Sequence, residues 1–398
     1  MVPENVRFSF KKDATATPCK GSSSCQITFM LERPRYIMIG GFLGAGKTTS
    51  IQAFAQHLDQ QGVRVGLITN DQGAGLVDSA IGRSKKFPVE EISGGCFCCK
   101  FDSLVDAARH LSEDAEVQRP DVFLAEPVGS CTDLVATVGL PLQSIYGNDF
   151  VVAPLSVLVD PVRALRVFQL EEGKGFSENV CYIYKKQLQE AGTIVINKVD
   201  LISAEQLQKL RAHFAVEFPD AQVMEVSARG GDGLVPWFKS MLEGEMDAAK
   251  VLDIDYEQYA DGEALLGWLN ATVRIKADDE VDGNQLLLEL AGALRIAMDE
   301  RGFEVAHLKA TISPEDAPSE IAAVSLVRSE TQPELSHRLV EPLEEATLLL
   351  NIRAEAPPED LEQATQAALA GLVGVKVEIK RLEHFRPGKP EPTHRYST

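Results

Sequence analysis

The chain has 398 residues, of which 39 are Lys or Arg and 59 are Asp or Glu, so its formal net charge is −20. This balance argues against a protein that binds nucleic acid or an anionic membrane surface, because both need a basic face. The length exceeds that of a single typical core and predicts two domains. No run approaches the roughly 18 apolar residues of a membrane span, and the N-terminus lacks the apolar core of a secretory signal, so we expect a cytoplasmic protein.

The first two thirds of the chain carry the pattern of a nucleotide-binding fold. Residues 1–33 are polar and predict an N-terminal extension. Short apolar runs then alternate with helical stretches, which is typical of parallel strands buried on both faces. Residues 34–244 therefore predict a doubly wound, mostly parallel α/β sheet of the P-loop NTPase type. The expected strands are YIMIGG, VRVGLITN, DVFLAE, LSVLVD, GTIVINK and QVMEVSA, with helices from about Lys47 to Gln61 and from about Phe101 to Ser112.

The remaining third predicts a second, smaller domain. Residues 245–265 are acidic and weakly patterned, as in a linker. Residues 266–385 predict an α+β domain of ferredoxin-like character, and residues 386–398 a proline-rich, extended tail. In chain order the expected elements are the strand LNATVRIKA, the helix NQLLLELAGALRIAMDER, the hairpin of EVAHLKATIS and EIAAVSLVRS, the strand ATLLLNIRAE, the helix PEDLEQATQAALAGL and the strand VKVEIKRLEHF.

A glycine-rich segment matches the phosphate-binding pattern G-x-x-x-x-G-K-[ST]. It comprises Gly41, Phe42, Leu43, Gly44, Ala45, Gly46, Lys47 and Thr48, between a predicted strand and a predicted helix. Backbone N–H groups of such a loop wrap a β-phosphate, helped by the positive end of the helix. Lys47 would bridge the β- and γ-phosphates, Thr48 would ligate Mg²⁺ and Thr49 would lie beside the α-phosphate. The segment predicts a nucleoside triphosphate site.

A second motif, Asn197-Lys198-Val199-Asp200, predicts which base is bound. Asp200 would accept hydrogen bonds from N1–H and the 2-amino group of guanine, a pair of donors that adenine lacks. Lys198 would cover the base and Asn197 would tie this segment to the phosphate loop. The alternative for Asp200 is the N-cap of a following helix. Further along, Ser227-Ala228-Arg229 follows another strand, where the Ala228 N–H can donate to guanine O6. The order of these motifs favours GTP over ATP.

Two acidic residues at strand ends are candidates for the magnesium side of the site. Asp71 follows the second predicted strand, and Glu126 ends the strand DVFLAE. Both are placed to contact Mg²⁺ or its waters, and Glu126 also to orient the attacking water, so together with Lys47 they form the predicted catalytic group. Turn chemistry is the alternative for Asp71.

Three of the seven cysteines, Cys96, Cys98 and Cys99, lie within four residues. Thiolates this close can bind one soft or borderline ion such as Zn²⁺ or Co²⁺, and three of them leave one tetrahedral position open for water or a partner's ligand. The alternative is that they are buried or redox-active cysteines. Cys131 and Cys181 stand in apolar or helical context and are expected to be core residues.

Four segments, GGFLGAGKTT, GGCFCC, E-P-V-G and N-K-V-D, occur in this order over about residues 35–240. Together they resemble the CobW-type (cobalamin synthesis protein-like) P-loop GTPases, relatives of the nickel-insertion GTPases of urease and hydrogenase maturation. The family often has N-E-F-G where this chain has Asn70-Asp71-Gln72-Gly73. The motif residues to which the resemblance carries a role are Lys47, Thr48, Glu126, Asn197, Asp200, Cys96, Cys98 and Cys99.

The resemblance implies a metallochaperone in which GTP binding and hydrolysis gate the delivery of zinc, cobalt or another ion to a client, either a metalloenzyme or a corrinoid protein. A homodimer that depends on nucleotide or metal is a further expectation. Two other functions stay open: a GTPase that chaperones a corrinoid enzyme and has structural cysteines, and a nucleotide-dependent metal sensor without turnover. Asn197 and Asp200 disfavour an ATP-dependent kinase.

Overall fold

The computed structural model describes residues 33–71, 87–113, 119–246 and 251–397 of the chain. They form two units, each built on one sheet. The N-terminal extension predicted for residues 1–33 lies outside the described residues except for its last position. None of the described helices is long and apolar enough to cross a membrane.

The first unit is an eight-stranded sheet in which the strands lie in the order β3-β2-β4-β1-β6-β7-β8, with β5 beside β1. Neighbouring strands are parallel. Every residue of the central strand β1 is buried, as expected for a strand covered on both faces. The strands are β1 (Arg35–Gly41), β2 (Val65–Asp71), β3 (Val89–Ser93), β4 (Val122–Glu126), β5 (Val151–Val152), β6 (Ser156–Val159), β7 (Thr193–Ile196) and β8 (Gln222–Glu225).

The helices of the first unit complete the doubly wound arrangement. They are α1 (Lys47–Asp59), α2 (Phe101–Glu113), α3 (Leu140–Tyr146), α4 (Pro161–Val167), α5 (Glu178–Gln189), α6 (Ala204–Glu217), α7 (Leu234–Glu243) and α8 (Tyr256–Leu265). A π-helical turn, Val135–Gly139, leads directly into α3.

The predicted α/β fold of the first unit is confirmed, and each predicted strand is present with shifted ends. The pattern does not predict β3, because its sequence VEEIS contains two glutamates and only Ile92 among its described side chains is buried. The strand lies at the edge of the sheet, where a continuous apolar run is not needed.

The second unit is a six-stranded sheet with the strand order β12-β11-β10-β13-β9-β14, and all its pairings are antiparallel. Its elements are β9 (Leu266–Val281), α9 (Gly283–Glu300), β10 (Glu304–Pro314), β11 (Ala322–Leu326), β12 (Glu334–His337), β13 (Leu343–Glu355), α10 (Pro358–Ala370) and β14 (Val375–Phe385). The predicted α+β domain and its hairpin of β10 and β11 are confirmed. Strand β12 is too short and too polar for the sequence pattern to predict it.

Part of the predicted linker is a helix. Helix α8 begins after Asp255, whose carboxylate accepts the N–H groups of Glu257 and Gln258 at 2.9 and 3.1 Å. Tyr259 and Glu263 on this helix are buried, at 1% and 2% exposure. The linker interpretation is therefore wrong for residues 256–265. Their composition is acidic, but they form a helix that packs against α5.

The second unit packs against the loop that follows β1. The Arg163 guanidinium on α4 donates to the carbonyl of Leu43 in this loop at 2.8 Å. It also donates to the carbonyls of Val305 at 3.1 Å and Ala306 at 3.3 Å, both on β10. One buried cation thus joins the β1–α1 loop of the first unit to a strand of the second.

Candidate functional site

The glycine-rich segment forms a closed loop between β1 and α1. Gly46 has a φ of 98°, and a Cβ atom at this position would lie 2.4 Å from Asn197 Nδ2, so only glycine fits there. Lys47 Nζ donates to the Gly41 carbonyl at 2.9 Å and so lies over the loop that opens helix α1. Lys47 is thus held at the loop whose backbone amides would wrap a bound phosphate group.

The magnesium side of the loop brings together Thr48 and Glu126. The Thr48 hydroxyl donates to Glu126 Oε1 at 2.9 Å, and Glu126 is only 8% exposed at the end of β4. A hydroxyl and a carboxylate at this distance are suitable oxygen ligands for Mg²⁺. Asp71 ends β2, where its backbone pairs with Ser93, but its side chain lies outside the described atoms, so its role stays a prediction.

Asn70, which the sequence reasoning overlooked, lies between the magnesium side and the cysteine motif. It is 8% exposed and its Nδ2 donates to the carbonyls of Ile92 at 2.9 Å and Gly95 at 2.7 Å. Its Oδ1 is buried without a hydrogen-bond partner among the residues that the structure describes. Asn70 also lines a cavity that Lys47, Thr48 and Glu126 line, so its amide oxygen is available to a cation or its waters there.

Asn197 connects the predicted base-recognition segments to the phosphate loop. Its Nδ2 donates to the Ala45 carbonyl at 2.8 Å, as the sequence predicts. Its Oδ1 accepts the N–H of Ala228 at 3.0 Å. In this structure the Ala228 N–H is thus directed at Asn197, and its donation to guanine O6 stays a prediction. Lys198 Nζ lies 2.7 Å from the Gly44 carbonyl.

Asp200 lies in a short 3₁₀ turn, Val199–Leu201, and its side chain is exposed at the mouth of the cavity. The helix-cap alternative for Asp200 is wrong. Helix α6 is capped instead by Ser203, whose hydroxyl accepts the Gln206 N–H at 3.2 Å while the Gln206 side chain accepts the Ser203 N–H at 2.8 Å. The Asp200 carboxylate therefore does not cap helix α6, and it can accept hydrogen bonds from a ligand in the cavity.

The predicted nucleotide residues line one cavity of about 560 Å³ between the two units. Residues of the second unit form its other wall, and His307, Lys309, Arg328 and Arg353 among them are basic. Lys309 Nζ lies 3.2 Å from Thr48 Oγ1. Of the predicted binding residues, those that line the cavity are Gly44, Gly46, Lys47, Thr48, Thr49, Glu126, Asn197, Lys198, Asp200, Ser227, Ala228 and Arg229.

Burial and the neighbouring basic side chains in this cavity change the pKa of His307. The pKa of His307 lies well below its usual value, first because of burial and then because Lys309, Arg353, Lys47 and Arg163 are close. His307 is thus neutral at pH 7. A crowd of cations around one cavity favours a polyanionic ligand.

A buried ion cluster fixes the second unit beside Lys198. Asp160 is 3% exposed and lies 2.9 Å from both Lys198 Nζ and Arg328 Nη1. Burial raises the pKa of Asp160, but the attraction of Lys198, Arg328 and Arg163 outweighs this and holds the pKa below its ordinary value. Asp160 is therefore ionised at pH 7, and it joins the base-recognition segment to the second sheet.

The three cysteines of the motif converge. Sγ of Cys96 lies 2.8 Å from Sγ of Cys98 and 3.1 Å from Sγ of Cys99, and the last two are 3.7 Å apart. Cys96 and Cys98 are buried and Cys99 is half-buried. Among the described residues this is the group of side chains suited to hold a metal ion. Three converging sulfurs offer the thiolate donor set that Zn²⁺ or Co²⁺ prefers.

Hydrogen bonds among the thiols shift the pKa values of Cys96 and Cys99 in opposite directions. Contacts from Cys131, Cys98 and Cys99 lower the pKa of Cys96. The contact with Cys96 raises the pKa of Cys99 to about 11. Cys96 is thus the thiol that ionises first, and ionised sulfur is the form that binds a metal. Cys131 is buried, as predicted.

The proline-rich tail lies on the cysteine motif. The Glu391 N–H is 3.3 Å from Cys99 Sγ, and the Thr393 N–H donates to the Cys98 carbonyl at 2.8 Å. Arg395 Nε donates to Asp133 Oδ2 at 2.7 Å and anchors the tail beside the loop after β4. The described tail residues form no helix or strand, and they lie against the half-buried Cys99 side of the thiol cluster.

The fold and the phosphate loop define a P-loop nucleotide-binding domain with a thiol cluster beside its nucleotide cavity. Residues 35–225 match the family model described as CobW/HypB/UreG, nucleotide-binding domain. This match confirms, for these residues, the resemblance predicted from the sequence.

Two curated relatives are named as zinc chaperones. The chain is 31% identical over 194 residues to the zinc chaperone CobW of Sinorhizobium sp, and the match covers 44% of this chain and 53% of that protein. It is 29% identical over 201 residues to the zinc chaperone YeiR of Escherichia coli, with 49% and 56% covered. The chain thus spans about half the length of the curated relatives it matches.

Solved structures similar to this chain include the Zn(II)-bound YjiA GTPase from E. coli, with 16% identity, a TM-score of 0.36, and 84% of this chain and 99% of that chain covered. HypB from Helicobacter pylori in complex with nickel has 17% identity and a TM-score of 0.39, with 55% and 90% covered.

Proposed function

We propose that the protein binds and hydrolyses GTP and carries a transition metal, Zn²⁺ or Co²⁺, on Cys96, Cys98 and Cys99 for delivery to a client protein. The observation that carries this proposal is the position of Asn70. It lines the nucleotide cavity and at the same time donates to the carbonyl of Gly95, the residue before Cys96. Two sites that share one wall can influence each other's occupancy.

The triphosphate would lie along the phosphate loop. Its γ-phosphate end would meet Lys47 and Thr48 from the loop and Lys309 from the second unit. Mg²⁺ fits here, because Glu126 Oε1 and Thr48 Oγ1 are 2.9 Å apart and the Asn70 Oδ1 has no partner among the described residues. When bound, Mg²⁺ would neutralise charge on the β- and γ-phosphates. Glu126 would also orient the attacking water, and Asp71 is the further predicted acid.

The guanine base would lie beyond Lys198. Asp200 would accept from N1–H and the 2-amino group, since it is exposed at the cavity mouth and does not cap helix α6. Asn197 would hold both neighbouring segments in place through its bonds to Ala45 and Ala228. Ser227 and Arg229 line the same end of the cavity.

The metal is the cargo, and loss of the γ-phosphate would release it. Cys96 and its neighbours follow strand β3, which pairs with β2 beside Asn70. A change of nucleotide that moves Asn70 would move the Gly95 carbonyl and, with it, the thiols. The nucleotide would in this way set the metal affinity, as in other switches ordered by a γ-phosphate.

The names of the zinc chaperone relatives support zinc as the metal and a client metalloprotein as the partner. A corrinoid protein as client, a homodimer that depends on nucleotide or metal, and a cytoplasmic location stay predictions. The second candidate functions are a corrinoid-enzyme chaperone with structural cysteines and a metal sensor without turnover.

The test compares metal content and GTP turnover in three proteins: the wild type, the variant with Cys96, Cys98 and Cys99 replaced by Ser, and Lys47→Ala. The proposal predicts that zinc or cobalt copurifies with the wild type in the presence of a GTP analogue and is lost in the triple variant. It also predicts slow GTP hydrolysis that Lys47→Ala abolishes. Client activation that survives the triple substitution would favour structural cysteines, and an absence of turnover even with metal and client would favour a sensor.

A further inference from the structure

A lysine of the second unit, Lys309, is held at the phosphate end of the cavity by a rigid element. It lies on β10, where its backbone is opposite Ser325 of β11 on one side and Asn351 of β13 on the other. Its Nζ lies 3.2 Å from Thr48 Oγ1. Lys47 of the first unit lines the same cavity. Each unit thus brings a lysine to the cavity that Thr48 lines.

The strand that carries Lys309 also packs on the phosphate loop. Gly44 has a φ of 79°, and an added Cβ there would lie 2.9 Å from the carbonyl oxygen of Ala306 on β10. The Arg163 guanidinium donates to the carbonyl of Leu43 in this loop at 2.8 Å and to that of Ala306 at 3.3 Å. The place of Lys309 therefore depends on how closely β10 is docked on the phosphate loop.

A buried ion pair holds the two units in this arrangement. Arg328, in the segment after β11, donates through Nη1 to both carboxylate oxygens of Asp160, at 2.9 and 3.0 Å. The two side chains are buried, at 8% and 3% exposure. Asp160 itself is fixed in the first unit, because it accepts the Arg163 N–H at 3.1 Å and lies 2.9 Å from Lys198 Nζ. The Asp160–Arg328 pair is thus a latch between the units.

A cation beside the γ-phosphate can contribute to hydrolysis as well as to binding. Water attacks the γ-phosphorus, the bond from this phosphorus to the oxygen that bridges the β- and γ-phosphates breaks, and GDP, inorganic phosphate and a proton are released. Negative charge is spread over the oxygens of the transferred group in the transition state. A cation that is already in place on a strand stabilises this charge without reorganisation.

We propose that Lys309 is a catalytic residue for GTP hydrolysis, supplied by the second unit, and that the Asp160–Arg328 latch keeps it in place. This inference rests on the proposed GTPase function. Arg328 is a positioning residue, since it acts through the docking of the sheet that contains β10. Hydrolysis then depends on the two units being docked, and their separation stops it.

The test of Lys309 compares kcat for GTP with the binding of GDP plus aluminium fluoride, a mimic of the transition state, in the full-length protein. Lys309→Met should lower kcat at least about 100-fold. It should weaken binding of GDP plus aluminium fluoride more than binding of a GTP analogue, and Lys309→Arg, which keeps the charge, should restore part of kcat. The matched control is Lys276→Met, at an exposed lysine of β9 that pairs with Glu345 at 2.6 Å, which should keep the wild-type kcat.

The test of the latch uses Arg328→Met, which leaves Asp160 paired with Lys198. We expect kcat to fall at least about tenfold, because Lys309 is no longer held in place. The affinity for GDP should stay close to that of the wild type, a separation of turnover from binding that a general loss of structure would not give. Arg328→Lys should recover part of kcat. Arg301→Met is the matched control, since Arg301 pairs with Asp360 within the second unit at 2.8 Å.

A wild-type kcat in Lys309→Met would overturn the catalytic assignment and leave the proposed function intact. A wild-type kcat in Arg328→Met would overturn the role of the latch. An absence of GTP turnover in the wild type would instead overturn the proposed function and this assignment with it. Lys309→Gln is a second neutral variant, so the test remains decisive even if Lys309→Met does not fold.

Discussion

Lys309 Nζ lies 3.2 Å from Thr48 Oγ1, although 261 positions separate the two residues in the sequence. Thr48 belongs to the first turn of α1, and Lys309 lies on β10 in the other sheet. The second unit therefore brings a cation to the place where the γ-phosphate and its Mg²⁺ would lie. The second unit thus forms one wall of the proposed nucleotide site, in addition to any role in docking a client protein.

Lys309→Met should weaken binding of a GTP analogue about tenfold or more, because one hydrogen bond to a charged group contributes about 1.5 to 3 kcal/mol. GDP binding should change less, since GDP has no γ-phosphate. Isothermal titration calorimetry with both nucleotides measures the difference. Lys276→Met is the control, because Lys276 is an exposed lysine of β9 that pairs with Glu345 at 2.6 Å. Equal losses for GTP analogue and GDP would contradict a role at the γ-phosphate.

Asp200→Asn should shift the preference of the protein from GTP to xanthosine triphosphate. The amide would donate to the 2-oxo group of xanthine, whereas it no longer accepts both donors of guanine. Relative affinities for the two nucleotides, measured by competition, give the result. Asp232→Asn serves as control, because Asp232 is an exposed acid on the neighbouring loop. A GTP preference that stays the same in Asp200→Asn would remove the base-recognition argument.

Arg395→Ala should expose the thiol cluster. Arg395 anchors the tail through Asp133 at 2.7 Å and the Leu252 carbonyl at 2.8 Å, and the tail covers Cys99. In metal-free protein we expect faster reaction of one cysteine with a thiol reagent, followed by mass spectrometry to identify Cys99. Arg381→Ala is the matched control, since Arg381 pairs with Glu383 on β14. Similar rates in both variants would show that the tail does not protect the cluster.

Glu190 makes stability depend on pH through the loop that bears Cys131. Its carboxylate accepts the Val135 N–H at 3.0 Å and the Thr132 hydroxyl at 3.2 Å, and burial raises its pKa from 4.5 to about 8. Because the folded pKa is raised, folding takes up a proton. The contribution is fully present below pH 4.5 and is lost as the pH rises through about 8.

The free energy of unfolding of the wild type, relative to that of Glu190→Gln, should therefore fall between these pH values, by at most about 5 kcal/mol at about 1.4 kcal/mol for each unit of pKa. Urea unfolding at several pH values measures it. Glu217→Gln, at an exposed position of α6, should show no such trend. A constant difference between wild type and Glu190→Gln across the range would contradict the buried-carboxyl argument.

The local motifs could be predicted from the sequence because their chemistry depends on residues close together in the chain. The phosphate loop and the C-x-C-C segment each form from one short stretch, and the apolar runs predict the buried strands well. Even Asn197 could be placed on the phosphate loop, since its motif follows a strand of the same parallel sheet.

The residues that the sequence does not reveal are those that only the fold brings to the site. Lys309 reaches Thr48 across the two sheets, and the tail reaches Cys99 from 292 positions away. Asn70 carried one signal, a polar residue at the end of an apolar strand, but the adjacent Asp71 offered the more obvious magnesium ligand.

The linkage between nucleotide and metal can be measured directly as the Zn²⁺ affinity of the wild type, by chelator competition, with a non-hydrolysable GTP analogue bound and with GDP bound. We expect affinity at least about fivefold higher with the analogue, within the range of about 5- to 150-fold typical of coupled sites. Asn70→Ala, which removes the bond to Gly95, should bring the two affinities closer together. Equal Zn²⁺ affinities of the wild type in the two nucleotide states would contradict a metal site gated by GTP.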